Sequence, residues 1–345
     1  MRQGISPAKR AGLPAHVPAE VGMVSLVFIP SLVFIPSLVG FYAQSLEVLG
    51  LHLDSLRRTL PTGEILVWDN GSCPQVVELL QQRFRQGQID YLVLSQHNVG
   101  KAGVLNWILS ALPHRYIGFS DGDILFLKGW WSAVQEVFRA FPKAGMVSPA
   151  PAFFDVLRGK STTASLLQEA GFRVYTDTPT ARDVQLYYQG LGHQVPEQPP
   201  ILPLAQAPDG TLACARSGHH VFVMPREVAR QIPPLPVDRA LSRDSDRVLH
   251  ERVEQLEYWQ LSTARSFVYH LGNTVTLPDL LATEVKGEES VPPRSPARPR
   301  PKDAPTGLKG ILREGLRRAM VRFPRLRKNV ERVYDALFRL LYGEV

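Results

Sequence analysis

The chain is poor in cysteine, and this shortage narrows the class of protein. Cys73 and Cys214 are the only two cysteines among 345 residues. They could form at most one disulfide, and they lack the spacing of zinc ligands, so a reduced, cytosolic compartment is favoured. With 44% hydrophobic and 21% charged residues, collagen-like, disulfide-built and wholly disordered classes are excluded. The length suits one large α/β domain or two smaller ones.

The chain also lacks a phosphate-binding Gly-x-x-x-x-Gly-Lys-Ser/Thr run, which argues against a P-loop nucleoside triphosphatase. Residues 21–46 carry no charge, but this stretch contains a tandem copy of Ser-Leu-Val-Phe-Ile-Pro at 25–30 and 31–36. Without one copy, about 15 apolar residues remain, which is too few to span a bilayer of roughly 30 Å. We therefore expect a buried parallel strand with a duplicated piece, and a signal anchor is the alternative.

Positive charge is concentrated at the C-terminal end. Residues 286–345 contain 15 Lys/Arg and 7 Asp/Glu, a net charge of +8, whereas the whole chain carries +7. The preceding 285 residues are therefore close to neutral. This distribution is typical of a catalytic body with a basic appendage, and it argues against a uniformly basic nucleic-acid-binding protein.

Apolar segments of alternating period predict an α/β fold with a mainly parallel sheet. In such sheets, ligands bind at the carboxyl ends of the strands. The pattern predicts strands at 65–68, 89–94, 116–119, 220–224 and 266–270. It predicts helices at 42–60, 76–85, 102–112 and 244–260. Between 149 and 208 the periodicity weakens, and we expect an irregular region there.

Segments of different composition flank this body. Residues 1–20 have no apolar periodicity, which predicts a flexible extension. Residues 285–306 are rich in proline and predict a linker. In the region 307–345, two basic amphipathic helices are predicted at 308–323 and 326–342. Such helices suit an anionic membrane surface, and packing against the body is the alternative.

The most informative motif is Asp121-Gly122-Asp123, which follows the predicted strand at 116–119. Two carboxylates one residue apart on a turn can hold a divalent cation and leave positions open for diphosphate oxygens. A polar β-turn without a ligand is the alternative, because Asp and Gly are common in turns.

The order of motifs resembles the GT-A-fold glycosyltransferases, and in particular the inverting family 2. The resemblance covers roughly residues 23–275. It rests on four motifs in the expected order: Ile35-Pro36-Ser37, Asp69-Asn70-Gly71-Ser72, Asn98-Val99-Gly100-Lys101 and Asp121-Gly122-Asp123. The implied fold is a Rossmann-like, mainly parallel sheet flanked by helices. It would have a nucleotide-sugar-binding half at 21–148 and an acceptor-binding half at 149–284.

The resemblance implies roles for individual residues. A nucleotide-sugar donor would be bound by Pro36, Ser37, Asp69, Asn70, Asn98, Lys101 and Asp121. A divalent cation, Mn²⁺ or Mg²⁺, would be bound by Asp121, Asp123 and His270. The alternatives are a turn cap for Asp69, a solvated surface side chain for Lys101, and a structural role for His270.

Family 2 enzymes usually have a Glu-Asp pair whose aspartate removes a proton from the acceptor hydroxyl. Here the corresponding stretch is Arg243-Asp244-Ser245-Asp246. We expect Asp244 to be the base, with Asp246 as the second candidate. Either one could instead be a helix N-cap. His219 and His220 could line the acceptor pocket, but neighbouring residues of a strand point to opposite faces, which argues against a paired metal site.

These observations predict a metal-dependent glycosyltransferase that transfers a sugar from a nucleotide diphosphate to a hydroxyl of a glycan, lipid or protein, with inversion. A nucleotidyltransferase is the alternative among enzymes, and a protein that binds nucleic acid through its basic tail is the alternative from another class. We expect no nucleic-acid partner. We expect a cytoplasmic location, with peripheral attachment to the inner face of the membrane through 307–342.

Overall fold

A computed structural model describes residues 16–30, 42–154, 156–198, 200–237 and 245–279, together with residues 281 and 329. The predictions for Pro36, Ser37 and Asp244 lie outside the described residues. So do those for most of the N-terminal extension, for the linker and, apart from Asn329, for the basic helices.

Within the described residues the chain forms twelve strands and eight helices. The strands are β1 (Val21–Val27), β2 (Glu64–Asn70), β3 (Tyr91–Ser95), β4 (Tyr116–Asp121), β5 (Ile124–Phe126), β6 (Ala144–Ser148), β7 (Arg173–Asp177), β8 (Leu202–Gln206), β9 (Leu212–Cys214), β10 (Val221–Pro225), β11 (Trp259–Thr263) and β12 (Val268–His270). The helices are α1 (Ser45–Thr59), α2 (Pro74–Arg85), α3 (Gly100–Ala111), α4 (Trp130–Ala140), α5 (Thr163–Glu169), α6 (Ala181–Gly190), α7 (Arg226–Ala229) and α8 (Ser245–Gln255).

Ten strands form one sheet in the order β3-β2-β1-β4-β10-β6-β11-β9-β8-β7. The first four are parallel, because a helix follows each of β1, β2 and β3 and returns the chain to the same edge. β10 is antiparallel to both β4 and β6, while β11 is parallel to β6. β9, β8 and β7 continue as an antiparallel series. The predicted α/β fold with a mainly parallel sheet is confirmed.

Hydrophobic burial on both faces explains why the central strands carry continuous apolar runs. All seven residues of β2 are buried, and so are six of the seven residues of β1. On one face, α1 packs the side chains of Leu49, Leu53 and Leu56 into the core. On the other face, α3 contributes Leu105 and Ile108 to a second core. Because both faces of such a strand are buried, apolar residues occupy successive positions and do not alternate with polar ones.

The predicted helix at 244–260 is too long at its C-terminal end. Helix α8 ends at Gln255, and β11 begins at Trp259. Glu257 adopts a positive φ of 60°, and the amide of Tyr258 donates to the carbonyl of Val253 at 3.2 Å. This left-handed helix cap reverses the chain. The residue with the positive φ is a glutamate and not a glycine, so the sequence gave no signal that the helix ends here.

The region 149–208 is more regular than its sequence indicates. It contains helices α5 and α6 and strands β7 and β8. β7 is an edge strand with no fully buried residue, so no strong apolar pattern is required of it. The expectation of an irregular region was wrong, because pairing with β8 and β9 satisfies the backbone where side-chain periodicity is weak.

A separate two-stranded ribbon lies next to the carboxyl end of β4. In it, β5 pairs antiparallel with β12, and Ile124 is opposite His270. The amide of Leu271 also donates to the carbonyl of Asp123 at 2.8 Å. The ribbon therefore brings a late segment of the chain beside the Asp121-Gly122-Asp123 turn.

Cys73 and Cys214 are both free thiols. Within the part of the chain that the structure describes, no helix combines the length and the apolar character needed to cross a membrane.

Candidate active site

The polar residues predicted from the sequence meet at the carboxyl edge of the parallel strands. In the register of the sheet, Val27 of β1 is opposite Asp69 of β2, and Leu26 is opposite Asp121 of β4. Asn70 is opposite Ser95 of β3, just before the Asn98 loop. The ends of β3, β2 and β4 therefore contribute polar residues to one edge, as expected for an open α/β sheet.

Asp69 lies on the side of β1 away from Asp121, and its side chain is buried. Its two carboxylate oxygens accept from the amide of Ser72 at 3.2 and 3.3 Å. Burial raises the pKa of Asp69, although the hydrogen bonds from Ser72 oppose the shift. Asp69 therefore caps the turn after β2, and it is also a desolvated acceptor at the edge where a ligand would bind.

Asn70, at the end of β2, holds the loop that contains Asn98 and leads into α3. The Asn70 side-chain amide donates to Oδ1 of Asn98 at 2.7 Å, and its own oxygen accepts from the amide of Val99 at 2.9 Å. Oδ1 of Asn98 also accepts from the amide of Gly100 at 2.8 Å. Gly100 adopts a φ of 72°, which favours glycine. These contacts fix the loop and hold Lys101 in the first turn of α3.

Lys101 is not the solvated surface lysine of the alternative interpretation. Its side chain is only 17% exposed, and Nζ lies 2.9 Å from Asp246 and 3.5 Å from Asp121. Nζ also donates to the carbonyl of His219 at 3.0 Å. Burial alone would lower the pKa of Lys101, but the two carboxylates outweigh it and raise the pKa.

Asp121 is held ionised by its neighbours. Its burial favours the protonated form, but the Lys101 ammonium, together with His220, holds its pKa well below its usual range. Asp246, in the first turn of α8, is brought into the same cluster by Lys101. The structure therefore joins residues from α3, β4 and α8 through one cation.

The expected divergence of His219 and His220 was wrong. Their ring centroids are 3.8 Å apart, and Nδ1 of His220 lies 3.3 Å from Oδ2 of Asp121. Both residues precede β10, so the alternation of a strand does not apply to them. Burial lowers the pKa of His219, and its neighbour His220 adds to the shift.

Asp123 and His270 form a second polar pair. Nε2 of His270 lies 3.3 Å from Oδ2 of Asp123, and Nδ1 of His270 is 3.1 Å from the carbonyl of Gly190. Burial would lower the pKa of His270, but Asp123 raises it to about 9. To bind a metal ion through Nε2, His270 would have to give up the proton that the contact with Asp123 favours, while its Nδ1–H stays bonded to the carbonyl of Gly190.

This pair fits part of a divalent-cation site. Oδ1 of Asp123 is buried and has no hydrogen-bond partner, which is unusual for a carboxylate oxygen. Across the described ranges, however, no group of three His, Cys, Asp or Glu residues is placed to hold a metal ion. Asp121 faces Lys101 and His220, not His270. Any ion bound here would need further ligands from a bound molecule or from water.

A buried network below this turn was not predicted from the sequence. Nε2 of His52 lies 2.7 Å from Oγ of Ser25, and Nδ1 lies 2.7 Å from the carbonyl of Ile124. Full burial lowers the pKa of His52. A signal existed in the sequence, because His52 falls on the apolar face of α1 between Leu49 and Leu56. A polar residue at such a position needs buried partners.

Comparison with known families agrees with this arrangement. Residues 39–187 match the model of glycosyl transferase family 2. This match, together with the sheet topology, makes the chain similar to the family 2 glycosyltransferases of the GT-A type. None of the curated protein sequences matches the chain.

Two solved structures are similar to the chain at low identity. One is the mannosyltransferase PcManGT from Pyrobaculum calidifontis in complex with GDP-Man and Mn²⁺, with 13% identity, a TM-score of 0.42 and 75% of this chain covered. The other is S. aureus TarS 1-349, with 10% identity, a TM-score of 0.41 and 72% of this chain covered. The chain spans 60% of the length of each of these two structures.

We expect Lys101→Met to lower the free energy of unfolding at pH 7 by about 2–4 kcal/mol, because two partly buried carboxylates lose their counter-charge. The pKa of Asp121 is depressed in the folded protein, so its contribution is present above the ordinary aspartate pKa near 4 and is lost as the pH falls through the folded value. The decrease in the free energy of unfolding caused by Lys101→Met should therefore be smaller at pH 3 than at pH 7. Urea unfolding at both pH values measures this decrease.

Lys160→Met is the control, because Lys160 is exposed. It should leave the free energy of unfolding within about 0.5 kcal/mol of the unchanged chain. If Lys101→Met lowers the free energy of unfolding equally at both pH values, the ionic role of this lysine is contradicted.

Proposed function

We propose that the chain transfers a sugar from a nucleotide-diphosphate sugar to a hydroxyl group of a glycan, lipid or protein, with inversion at the anomeric carbon. One observation carries the proposal. Lys101 contacts Asp121 and His270 contacts Asp123, so both carboxylates of the Asp121-Gly122-Asp123 turn have a basic partner at the same carboxyl edge of the parallel strands as Asp69. A polyanionic nucleotide at this edge would have cationic and hydrogen-bonding partners on both sides.

The donor would lie along the ends of β2, β1 and β4. Asp69 suits the N–H or hydroxyl donors of a nucleobase or ribose, because a carboxylate accepts at both oxygens. The glycine of the Asn98–Gly100 loop allows a close approach of the backbone. Lys101, which contacts Asp121, would offset diphosphate charge. Pro36 and Ser37 remain predictions from the sequence.

We propose that Asp123 and His270 bind Mn²⁺ or Mg²⁺, with Asp121 acting through a water or the ribose. Such an ion would offset the negative charge that grows on the departing diphosphate. The chain's own contribution is orientation. The carbonyl of Gly190 fixes the His270 ring, and the pairing of β5 with β12 holds His270 beside Asp123.

The transfer itself needs a proton acceptor. As the acceptor oxygen bonds to the anomeric carbon, the bond from that carbon to the diphosphate oxygen breaks. The hydroxyl proton then passes to a carboxylate, for which Asp244 is our first candidate and Asp246 the second. One oxygen of Asp246 is already bound by Lys101, so only its other oxygen is free for this role.

Asp123→Asn should remove the metal-dependent part of donor binding. With the unchanged chain, a panel of UDP-sugars and GDP-sugars is screened by thermal shift, with and without Mn²⁺. A donor at about 100 times its dissociation constant should stabilise the protein by about 2.7 kcal/mol. We expect the increment due to Mn²⁺ to disappear in Asp123→Asn and to persist in Asp209→Asn, which changes an exposed loop carboxylate. Equal turnover in EDTA and in Mn²⁺ would rule out the metal role.

The base is tested by Asp244→Asn and Asp246→Asn, which keep the side-chain shape but remove the proton acceptor. We expect kcat to fall by about 100-fold or more in Asp244→Asn, with donor binding preserved. Asp246→Asn should also lower the stability, because Lys101 loses a partner. If only Asp246→Asn abolishes turnover, Asp246 is the base. If neither substitution does, the inverting mechanism with an aspartate base is wrong.

We propose that the basic segment 307–345 attaches the enzyme to an anionic membrane surface. Each basic residue near such a surface contributes roughly 1 kcal/mol, and this attraction is screened by salt. The full chain should co-sediment with liposomes containing phosphatidylserine at low salt and be released at high salt. A chain that ends at Val285 should remain in solution and still bind the donor. A truncated chain that aggregates would indicate instead that the segment packs against the body.

A further inference from the structure

An open pocket adjoins the Asp123–His270 pair on the side away from Asp69. It has a volume of about 80 Å³ and opens to solvent. Its walls come from the segment after β6, from α6 and from the ribbon strand β12, and they reach His220 and His270. The donor residues Asp69 and Asn98 do not line it. The pocket therefore lies on the acceptor side of the proposed reaction centre.

The chemistry of the lining is unusual for a site that binds a sugar. Among the described residues that line it, there is no Asp, Glu, Lys, Arg, Asn or Gln. Away from the three histidines, the only side chains with a hydrogen-bonding group are Ser148, Ser266 and Tyr187. A pyranose carries a hydroxyl on most ring carbons, and each one left without a partner in a buried site costs free energy. An apolar group carries no such cost.

Aromatic rings form much of the wall. Phe153 stacks on Tyr187, with ring centroids 4.5 Å apart. Phe154 is 53% exposed at the mouth of the pocket, and its ring contacts His219 edge-on at 6.5 Å. The rings continue inward, since His219 lies 3.8 Å from His220, which lies 4.9 Å from His270. An apolar surface therefore leads from solvent to the proposed reaction centre.

We propose that this pocket binds the acceptor, and that the acceptor carries its reactive hydroxyl on an apolar body, either an alkyl chain or an aryl ring. The body would pack against Phe153, Phe154 and Tyr187, and the hydroxyl would face His220 and His270. This inference rests on the proposed function, and it narrows the acceptor from any hydroxyl compound to a hydrophobic alcohol.

Binding is measured first without a donor, using ligand-observed NMR on the full chain. The probes are hexan-1-ol for the alkyl arm, benzyl alcohol for the aryl arm, and methyl β-D-glucopyranoside as a polar hydroxyl compound. We expect at least one of the two apolar alcohols to bind at least tenfold more tightly than the glucoside, because burial of its apolar carbons is favourable, whereas buried hydroxyls of the glucoside would lack partners. The tighter of the two identifies the alkyl or the aryl class. A glucoside that binds as tightly as both alcohols would overturn the inference.

Two substitutions place the binding in the pocket. Phe154→Ser should weaken binding of the preferred alcohol about tenfold, and its exposure makes loss of folding a small risk. Phe84→Ser is the matched control, because Phe84 is 45% exposed on α2, outside the pocket, and should have no effect on binding. Tyr187→Phe keeps the ring that stacks on Phe153 and should retain binding. Equal affinities in Phe154→Ser, Phe84→Ser and the unchanged chain would overturn the assignment to this pocket.

The transfer reaction distinguishes this inference from the proposed function. The nucleotide sugar that responds in the thermal-shift screen is incubated with each probe, and the products are identified by mass spectrometry. We expect an alkyl or aryl glycoside, formed about tenfold more slowly by Phe154→Ser. Donor binding with transfer only to the glucoside would overturn the inference and leave the proposed function intact. Alcohol binding without a response to any nucleotide sugar would overturn both.

Discussion

The candidate site depends on one buried cation. Lys101 connects Asp121 at the end of β4, Asp246 at the start of α8 and the backbone before β10. Asp121 is stable in its ionised form because the ammonium is close, and the ammonium stays charged despite burial because the carboxylates are close. Removal of Lys101 would therefore leave two carboxylates without their shared counter-charge.

Two kinds of chemistry are separated by the Asp121-Gly122-Asp123 turn. On one side, Asp69 and the asparagine loop provide hydrogen bonds and charge. On the other, Phe153 and Tyr187 provide an apolar wall. His52 supports the turn from below through the carbonyl of Ile124. The division corresponds to the two substrates of the proposed transfer, an anionic donor and a hydrophobic alcohol.

The sequence predicted the parts of the site that depend on local pattern. Asp69, Asp121 and Asp123 were found because parallel strands place their carboxyl ends at one edge. The burial of Lys101 could not be predicted, because its partner Asp246 is remote in sequence and carries no local signal. The pairing of His219 with His220 was missed because both lie just outside β10, where backbone direction changes. The aromatic pocket was missed because its rings come from a loop and a separate helix.

The ribbon of β5 and β12 has a consequence for the order of folding. Donor-side residues are complete once β4 has formed, whereas His270 reaches Asp123 only when the chain has passed through six further strands of the main sheet. Contacts between such distant segments form late, because a long loop must close before they gain free energy. During synthesis, the nascent chain would therefore present the donor-side edge before it has a complete catalytic centre. A fragment that ends at residue 187, where the family match ends, would keep that edge but lack both Asp246 and His270.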